Sequence, residues 1–279
     1  MLFTGIDIGS TTTEAVIINE KKEILGTAQI NTGFALDEAA RNAVEIACRE
    51  AGCSRNDFTY CISTGYGREL VDFADDQFTE IACHAKGANY CFPQARGVID
   101  IGGQDSKAIS IDEVGGIVDF AMNDKCAAGT GRFLEVMARI MGLEIGEMGR
   151  LSLRSTKDVK ISSICTVFAE SEVISLLSKK TCEPYDIMMG IHNSVVRRVN
   201  MLVQKARLSA PIVMTGGVAR NVGVIHAFEK LLNTDILIPE NPQLIGAVGA
   251  AIMAYEQYNK INKKSKPAII RNAGKYGDY

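Results

Sequence analysis

The sequence predicts an α/β fold made of two related halves arranged around a cleft. Two observations carry this. Residues 6–20 and 99–113 align at an offset of 93, with identities at Ile6, Asp7, Ile8, Gly9, Ala15, Ile18 and Glu20, seven of fifteen positions. Each copy reads as a strand, a tight glycine turn and a second strand. Between and after the copies, apolar residues recur at helical spacing, so each half supplies helices to cover its sheet.

The elements follow in chain order. Met1-Leu-Phe-Thr-Gly-Ile-Asp7 enters a strand at once. Leu36, Ala40, Ala43, Val44 and Ala47 form one apolar stripe, which Gly52 ends. Phe133, Val136, Met137, Ile140 and Met141 form another, ended by Gly142. The segment 166–180 carries Glu170 and Glu172 early and Lys179 and Lys180 late, which suits a helix dipole. Pro184 opens a long helix with Met188, Ile191, Val195, Val199 and Leu202 on one face. A strand, Pro211-Ile-Val-Met-Thr215, precedes the turn Gly216-Gly217, and Gly246-Ala-Val-Gly-Ala-Ala251 reads as a small-residue helix that permits close backbone approach. The expected boundaries are a first domain over 1–95 and a second over 96–245. A helix near 246–258 should pack back on the first domain, and 259–279, polar and unpatterned, reads as a mobile tail.

Composition narrows the function. The 279 residues are 47% hydrophobic and 23% charged, as in a globular protein with a buried core, and the net charge of −3 gives no basic surplus for nucleic acid. No apolar run has the length to span a bilayer, and the N-terminus lacks a signal-peptide layout, so a cytoplasmic location is expected. There the eight cysteines are thiols or metal ligands rather than disulfides.

Asp7-Ile-Gly9-Ser10-Thr11-Thr12-Thr13 sets an acid at a strand end, then a turn rich in backbone N–H groups and hydroxyls. Such a turn wraps phosphate oxygens, and the acid holds Mg²⁺ through water. The second copy, Asp100-Ile-Gly102-Gly103-Gln104-Asp105, would close from the other side, with Gln104 orienting the attacking water. Asp7 and Asp100 are equally suited to magnesium. Thr215-Gly216-Gly217-Val218 lets a nucleotide lie against backbone, and Gln243, just ahead of the last helix, joins the candidate ATP/ADP-binding residues. No Walker A sequence is present. The three turns in this order resemble the phosphate-1, phosphate-2 and adenosine motifs of the actin, sugar-kinase and heat-shock-chaperone ATPases. The resemblance implies a duplicated actin-like, sugar-kinase-like fold with two domains around a nucleotide cleft.

Two cysteines stand at predicted helix starts, Cys126 and Cys165, and no Cys-x-x-Cys occurs. On spacing alone they are two ordinary thiols, since cysteine is commonly buried. A pair is half a four-thiolate site, and a two-fold dimer supplies the rest. The segments Asn123-Asp-Lys-Cys-Ala-Ala-Gly-Thr-Gly-Arg-Phe-Leu134 and Ser162-Ser-Ile-Cys-Thr-Val-Phe-Ala-Glu-Ser-Glu-Val-Ile174 resemble the signature segments of the 2-hydroxyacyl-CoA dehydratase activators, whose wider family includes the ATPase subunits of benzoyl-CoA reductases. Ser63-Thr-Gly-Tyr-Gly-Arg68, Met214-Thr-Gly-Gly-Val-Ala219 and Gly246-Ala-Val-Gly-Ala-Ala251 fit the same family. The resemblance implies an oxygen-sensitive homodimer of anaerobic metabolism. One 4Fe-4S cluster would be held by Cys126 and Cys165 of each chain. It implies ferredoxin or flavodoxin as electron donor, and ATP hydrolysis coupled to electron transfer into a dehydratase. The alternatives are an ATPase component for a benzoyl-CoA reductase or another iron–sulfur partner, a small-molecule kinase, and a nucleotide-dependent regulator with structural thiols. Cys83-His84 lacks partners in sequence, adjacent helix residues do not suit a nucleophilic pair, and the lone His192 and His226 are read as structural.

Overall fold

The computed structural model describes residues 1–162 and 165–265. The first sheet contains β1 (Leu2–Ile8), β2 (Thr12–Asn19), β3 (Ile24–Asn31), β4 (Phe58–Thr64) and β5 (Asp76–Gln77), in the order β3-β2-β1-β4-β5. The second contains β6 (Gly97–Ile101), β7 (Ser106–Ile111), β8 (Ile117–Asn123), β9 (Ile212–Thr215) and β10 (Ile236–Leu237), in the order β10-β9-β6-β7-β8. Read from the opposite edge, the second order is that of the first. In both sheets the first three strands are antiparallel and the last two join in parallel.

The register carries the duplication further than the aligned hairpins. Asp7 faces Glu14 on its antiparallel side and Thr64 on its parallel side. Asp100 faces Lys107 and Thr215 in the same two places. A glycine with positive φ follows each threonine, Gly65 at 85° and Gly216 at 82°. A Cβ on Gly65 would run into Asp7 Oδ1, and one on Gly216 would lie 2.8 Å from Asp100 Oδ1. Only glycine lets the chain turn this close to the acid.

Helix α1 (Leu36–Ala51) lays Ala40, Ala43, Val44 and Ala47 against Ile6 and Ile8, and Gly52 ends it in the left-handed conformation. Phe3, alternating with Ile6 along β1, faces the other side, where α8 (Ile245–Ser265) packs. Helix α2 (Glu80–Cys91) leads out of the first sheet toward β6 and packs beside α8. The second core gathers α3 (Gly131–Ile140), α4 (Ile145–Ser152), α6 (Pro184–Lys205) and α7 (Val222–Leu232) around Phe133, Leu134, Met137, Ile191, Val195 and Phe228. Helix α5 (Thr166–Lys179) adds Ala169 and Val173 to that core and packs against α3. Among the described residues no helix is long and apolar enough to cross a membrane.

Two expectations change. Residues 259–265 continue α8 rather than starting a tail. The helix is fastened near that point: Tyr255 and Tyr258 lie 5.3 and 5.7 Å from the Phe3 ring, and Asn259 Nδ2 donates to the Tyr255 carbonyl at 2.9 Å. The remainder of the expected tail lies outside the described residues. Cys126 also stands five residues before α3 rather than at its start, because a turn intervenes, with Gly129 at φ 92°.

The small residues of α8 serve contact between backbones. A Cβ on Gly5 would meet the Ala247 carbonyl and the Ala251 N–H, neither of which can rotate away. Gly5→Val should therefore destabilise the fold by about 3 kcal/mol, measured as a lowered midpoint in thermal or urea unfolding.

Candidate functional site

Both glycine turns close in the same way. Gly9 N–H donates to the Thr12 carbonyl, and Gly102 N–H donates to the Asp105 carbonyl, each at 3.0 Å. Thr32, just past β3, braces the first turn by donating from Oγ1 to the Gly9 carbonyl at 2.8 Å. Ser10, Thr11 and Gln104 are exposed at the turn tips, and Gly9, Thr12, Gly102 and Gly103 are half-buried beside them. The turns face each other: a Cβ on Gly103 would strike the Thr11 hydroxyl. This brings Gly9, Ser10, Thr11, Thr12, Gly102, Gly103 and Gln104 to one side of the cleft.

The third turn lies after β9. Gly216 N–H donates to the Pro242 carbonyl at 2.9 Å, and a Cβ on Gly217 would come 3.6 Å from Gln243 Nε2. Gly217 and Gln243 therefore form one wall. Val218 departs from expectation: its side chain is buried in the second core, so only its backbone is available to a nucleotide.

At the floor of the cleft Asp7 and Asp100 are both buried, and His84 of α2 lies between them. Its Nε2 is 3.8 Å from Asp7 Oδ2 and its Nδ1 is 3.5 Å from Asp100 Oδ1. Thr215 Oγ1 donates to Asp100 Oδ1 at 2.8 Å. Lys107, only 2% exposed, reaches Asp100 at 3.1 Å, Asp105 at 2.9 Å and Glu80 at 3.5 Å. Glu14 is buried beside Asp7, and its Oε1 finds no hydrogen-bond partner among the described residues.

The two acids differ in strength. Burial pushes the Asp7 carboxyl up to about 6, against the opposing charges of His84 and Lys107. Burial also pushes Asp100 upward, but His84, Lys107 and the Thr215 hydroxyl outweigh it and hold the group at about 2. Glu14 rises to about 9 through burial and the Asp7 charge. Burial opposes the Lys107 charge, yet its three carboxylates raise its proton affinity. The floor thus holds Asp7, Glu14, Glu80, Asp100 and Asp105 against one lysine and one histidine. An acid surplus beneath the glycine turns, with an orphaned carboxyl oxygen on Glu14, fits a hydrated Mg²⁺.

Sequence reasoning assigns no role to His84 or Lys107. Lys107 occupies the position of Glu14 in the aligned repeat, and that opposition of charge is the signal that could have found it. His192 behaves as expected of a structural histidine: buried between Ser152 Oγ at 3.0 Å and Asn221 Nδ2 at 3.3 Å, it is pushed down to about 4 by burial.

The cysteine segments adjoin this site. Asn123 Nδ2 donates to the Cys126 carbonyl at 2.8 Å and so shapes the loop that carries the half-buried thiol. The N-cap residue of α3, Thr130, makes no side-chain cap. Gly131 and Arg132 instead donate their N–H groups to the Gly102 and Gly103 carbonyls, each at 2.8 Å. The second phosphate turn is thus the cap of α3. Cys165 is exposed and is itself the N-cap of α5. Ser163 and Ile164, just before it, lie outside the described residues; Ser162 is held to Glu172 by donations at 2.8 to 3.1 Å. The first turn of α5 carries no acidic residue, so its N-terminus, at Cys165, keeps a positive end.

This geometry defines a two-domain ATPase of the actin-like, sugar-kinase-like fold, and solved sugar kinases share the arrangement at 14 to 16% identity, which shows the fold alone. The chain belongs to the BadF/BadG/BcrA/BcrD ATPase family, whose profile matches residues 4–254. It is 47% identical over 260 residues to the activator of lactoyl-CoA dehydratase of Anaerotignum propionicum, covering 93% of this chain and all of that protein. It is 44% identical, with a TM-score of 0.88, to the solved activator of the 2-hydroxyisocaproyl-CoA dehydratase from Clostridium difficile with bound ADPNP, covering 95% and 98% of the two chains. A subunit of the benzoyl-CoA reductase of Thauera aromatica is 32% identical, covering 96% of this chain and 98% of that one.

Two outcomes follow for the cleft. Asp7 in the folded protein binds a proton more tightly than its ordinary value of 3.8, so its ionisation costs stability as pH rises from about 4 through about 6. Asp7→Asn should therefore stabilise the nucleotide-free protein by about 2 kcal/mol more at pH 7 than at pH 4, read by urea unfolding, while ATP hydrolysis falls. Gln104→Ala should lower ATP turnover about tenfold or more while nucleotide affinity stays within about twofold. Unchanged turnover removes Gln104 from catalysis.

Proposed function

We propose that the chain is an ATP-driven activator that passes a low-potential electron to a 2-hydroxyacyl-CoA dehydratase. The observation that carries it is the capping of α3 by the Gly102 and Gly103 carbonyls, which ties a phosphate-binding turn to a cysteine-bearing segment. The similarity to dehydratase activators, at 44 to 47% identity, supports the partner class.

In this reading the working unit is a homodimer in the cytoplasm of an anaerobic cell, with Cys126 and Cys165 of each chain holding one shared 4Fe-4S cluster. The donor set fits. Both cysteines are free thiols with at least partial exposure. Cys165 is the N-cap of α5, whose positive end favours an anionic thiolate cluster. Exposed Val167 and Phe168, the second and third residues of α5, supply apolar surface for a second copy. When bound, the cluster supplies a one-electron carrier loaded by ferredoxin or flavodoxin and emptied into the dehydratase.

The chain's own residues do the rest. Asp7 and Asp100 hold Mg²⁺ through water, and the N–H groups and hydroxyls of Ser10, Thr11 and Thr12 hold phosphate. Gln104, at the exposed tip of its turn, orients the attacking water. Loss of the terminal phosphate lets the second turn shift, and the Gly102 and Gly103 carbonyls carry the start of α3 with them. The same machinery fits an ATPase component of a benzoyl-CoA reductase; the 32% identity to a component of such an enzyme is weaker support.

Iron and acid-labile sulfide on protein purified without oxygen test this directly. The expected result is about two irons per chain in a dimer, lost in Cys165→Ala or Cys126→Ala while ATP binding persists. Absence of iron, or full iron in either variant, refutes the ligand assignment. The purified protein should also activate a 2-hydroxyacyl-CoA dehydratase only with ATP and a reduced donor.

A further inference from the structure

We propose that His84 is a positioning residue that sets the spacing between the two acids, Asp7 and Asp100, on which magnesium binding depends. The proposal rests on the reading of those acids as the magnesium site. Its evidence is the place of His84 in the fold. Helix α2 carries the chain from the first sheet to the second, and it packs against α8 on one side and the second sheet on the other. Its inner face bears Glu80 and His84, four residues apart and so on one side of the helix. Glu80 reaches Lys107 of the second domain, while His84 lies between one acid of each domain.

The imidazole is fixed on one side and open on the other. Nδ1 is 3.1 Å from Thr215 Oγ1, and that hydroxyl donates to Asp100, so it accepts its second hydrogen bond from Nδ1–H. The far nitrogen, Nε2, faces Asp7 Oδ2 at 3.8 Å, beyond a direct hydrogen bond. A Cβ on Gly246 would come 3.1 Å from Nε2 and would also collide with Asp7 Oδ2, so α8 presses on this same point. His84 is 6% exposed and cannot swing out to solvent. A rotation of one domain against the other changes the distance from the ring to Asp7, to Asp100 and Thr215, or to both. Through this ring, which faces an acid of each domain, the domain angle reaches the magnesium site.

The test is the magnesium dependence of ADPNP binding by the intact protein, followed calorimetrically, with ATP turnover beside it. Groups behind metal-binding residues commonly cost tenfold or more when lost. His84→Ala should raise the Mg²⁺ concentration that half-saturates ADPNP binding about tenfold, with Mg-free ADPNP affinity within about twofold. His84→Asn should behave similarly, because its amide keeps the Thr215 bond but leaves Asp7 unmatched, and it carries the test where His84→Ala does not fold. His84→Gln, whose amide reaches toward the Nε2 position, should recover part of the magnesium response. An unchanged magnesium midpoint in His84→Ala and His84→Asn overturns the proposal. Equal losses with and without Mg²⁺ also overturn it, since they mark a structural role. A wild-type protein whose ADPNP binding ignores Mg²⁺ overturns the magnesium assignment together with it.

Discussion

Helix α3 has no cap of its own, and the rest of the account depends on how that need is met. The first N–H groups of a helix have no partner within it. Thr130, placed to cap α3, turns its hydroxyl to the Ala127 carbonyl instead. The Gly102 and Gly103 carbonyls satisfy Gly131 and Arg132. The loop proposed to bind phosphate therefore holds a helix start with its carbonyls. Any rearrangement of that loop moves the helix or breaks both hydrogen bonds and leaves the buried Gly131 N–H without a partner, at a cost of about 1–3 kcal/mol. Moving together is the cheaper course, and the Cys126 loop lies directly ahead of that helix.

The cleft floor shows a second constraint. Five acidic side chains, a lysine and a histidine are gathered where most proteins place apolar side chains. In the second domain His84, Lys107 and Thr215 together hold Asp100 ionised. In the first domain Glu14 stands where Lys107 stands in the other half, so Asp7 meets a second acid instead of a base. Asp100 is thus matched by cationic and hydroxyl partners, and Asp7 is left with an acid surplus suited to an external cation. The two halves share a backbone plan and have diverged in charge at the point where chemistry is expected.

Much of this is legible in the sequence, for local reasons. The Asp-Ile-Gly hairpins are visible because a hairpin turn carries its signature within a few residues. Helices α1, α3 and α6 are visible from apolar spacing and terminators such as Gly52 and Gly142, and α5 from the placement of its charges. What escapes depends on pairing over distance. Thr64-Gly65 and Thr215-Gly216 are equivalent, but only strand register sets each beside its acid. His84 looks idle beside Cys83 because its partners arrive on β1, β6 and β9. Residues 259–265 look like a tail because they are polar and 260–263 are exposed, and the aromatic anchor just before them, Phe3 against Tyr255 and Tyr258, comes from β1. Cys126 looks like a helix start because the intervening turn is short and contains the glycine that a left-handed bend requires.

The most direct test of the link between nucleotide and cysteine segment is amide hydrogen exchange at Gly131 and Arg132, compared with ADP and with ADPNP bound. The account predicts that exchange at these two amides differs between the two states, together with the 123–130 loop, while amides in the middle of α6 stay unchanged. Identical protection in both states would contradict it, because the second phosphate turn would then respond to nucleotide without passing that response to α3.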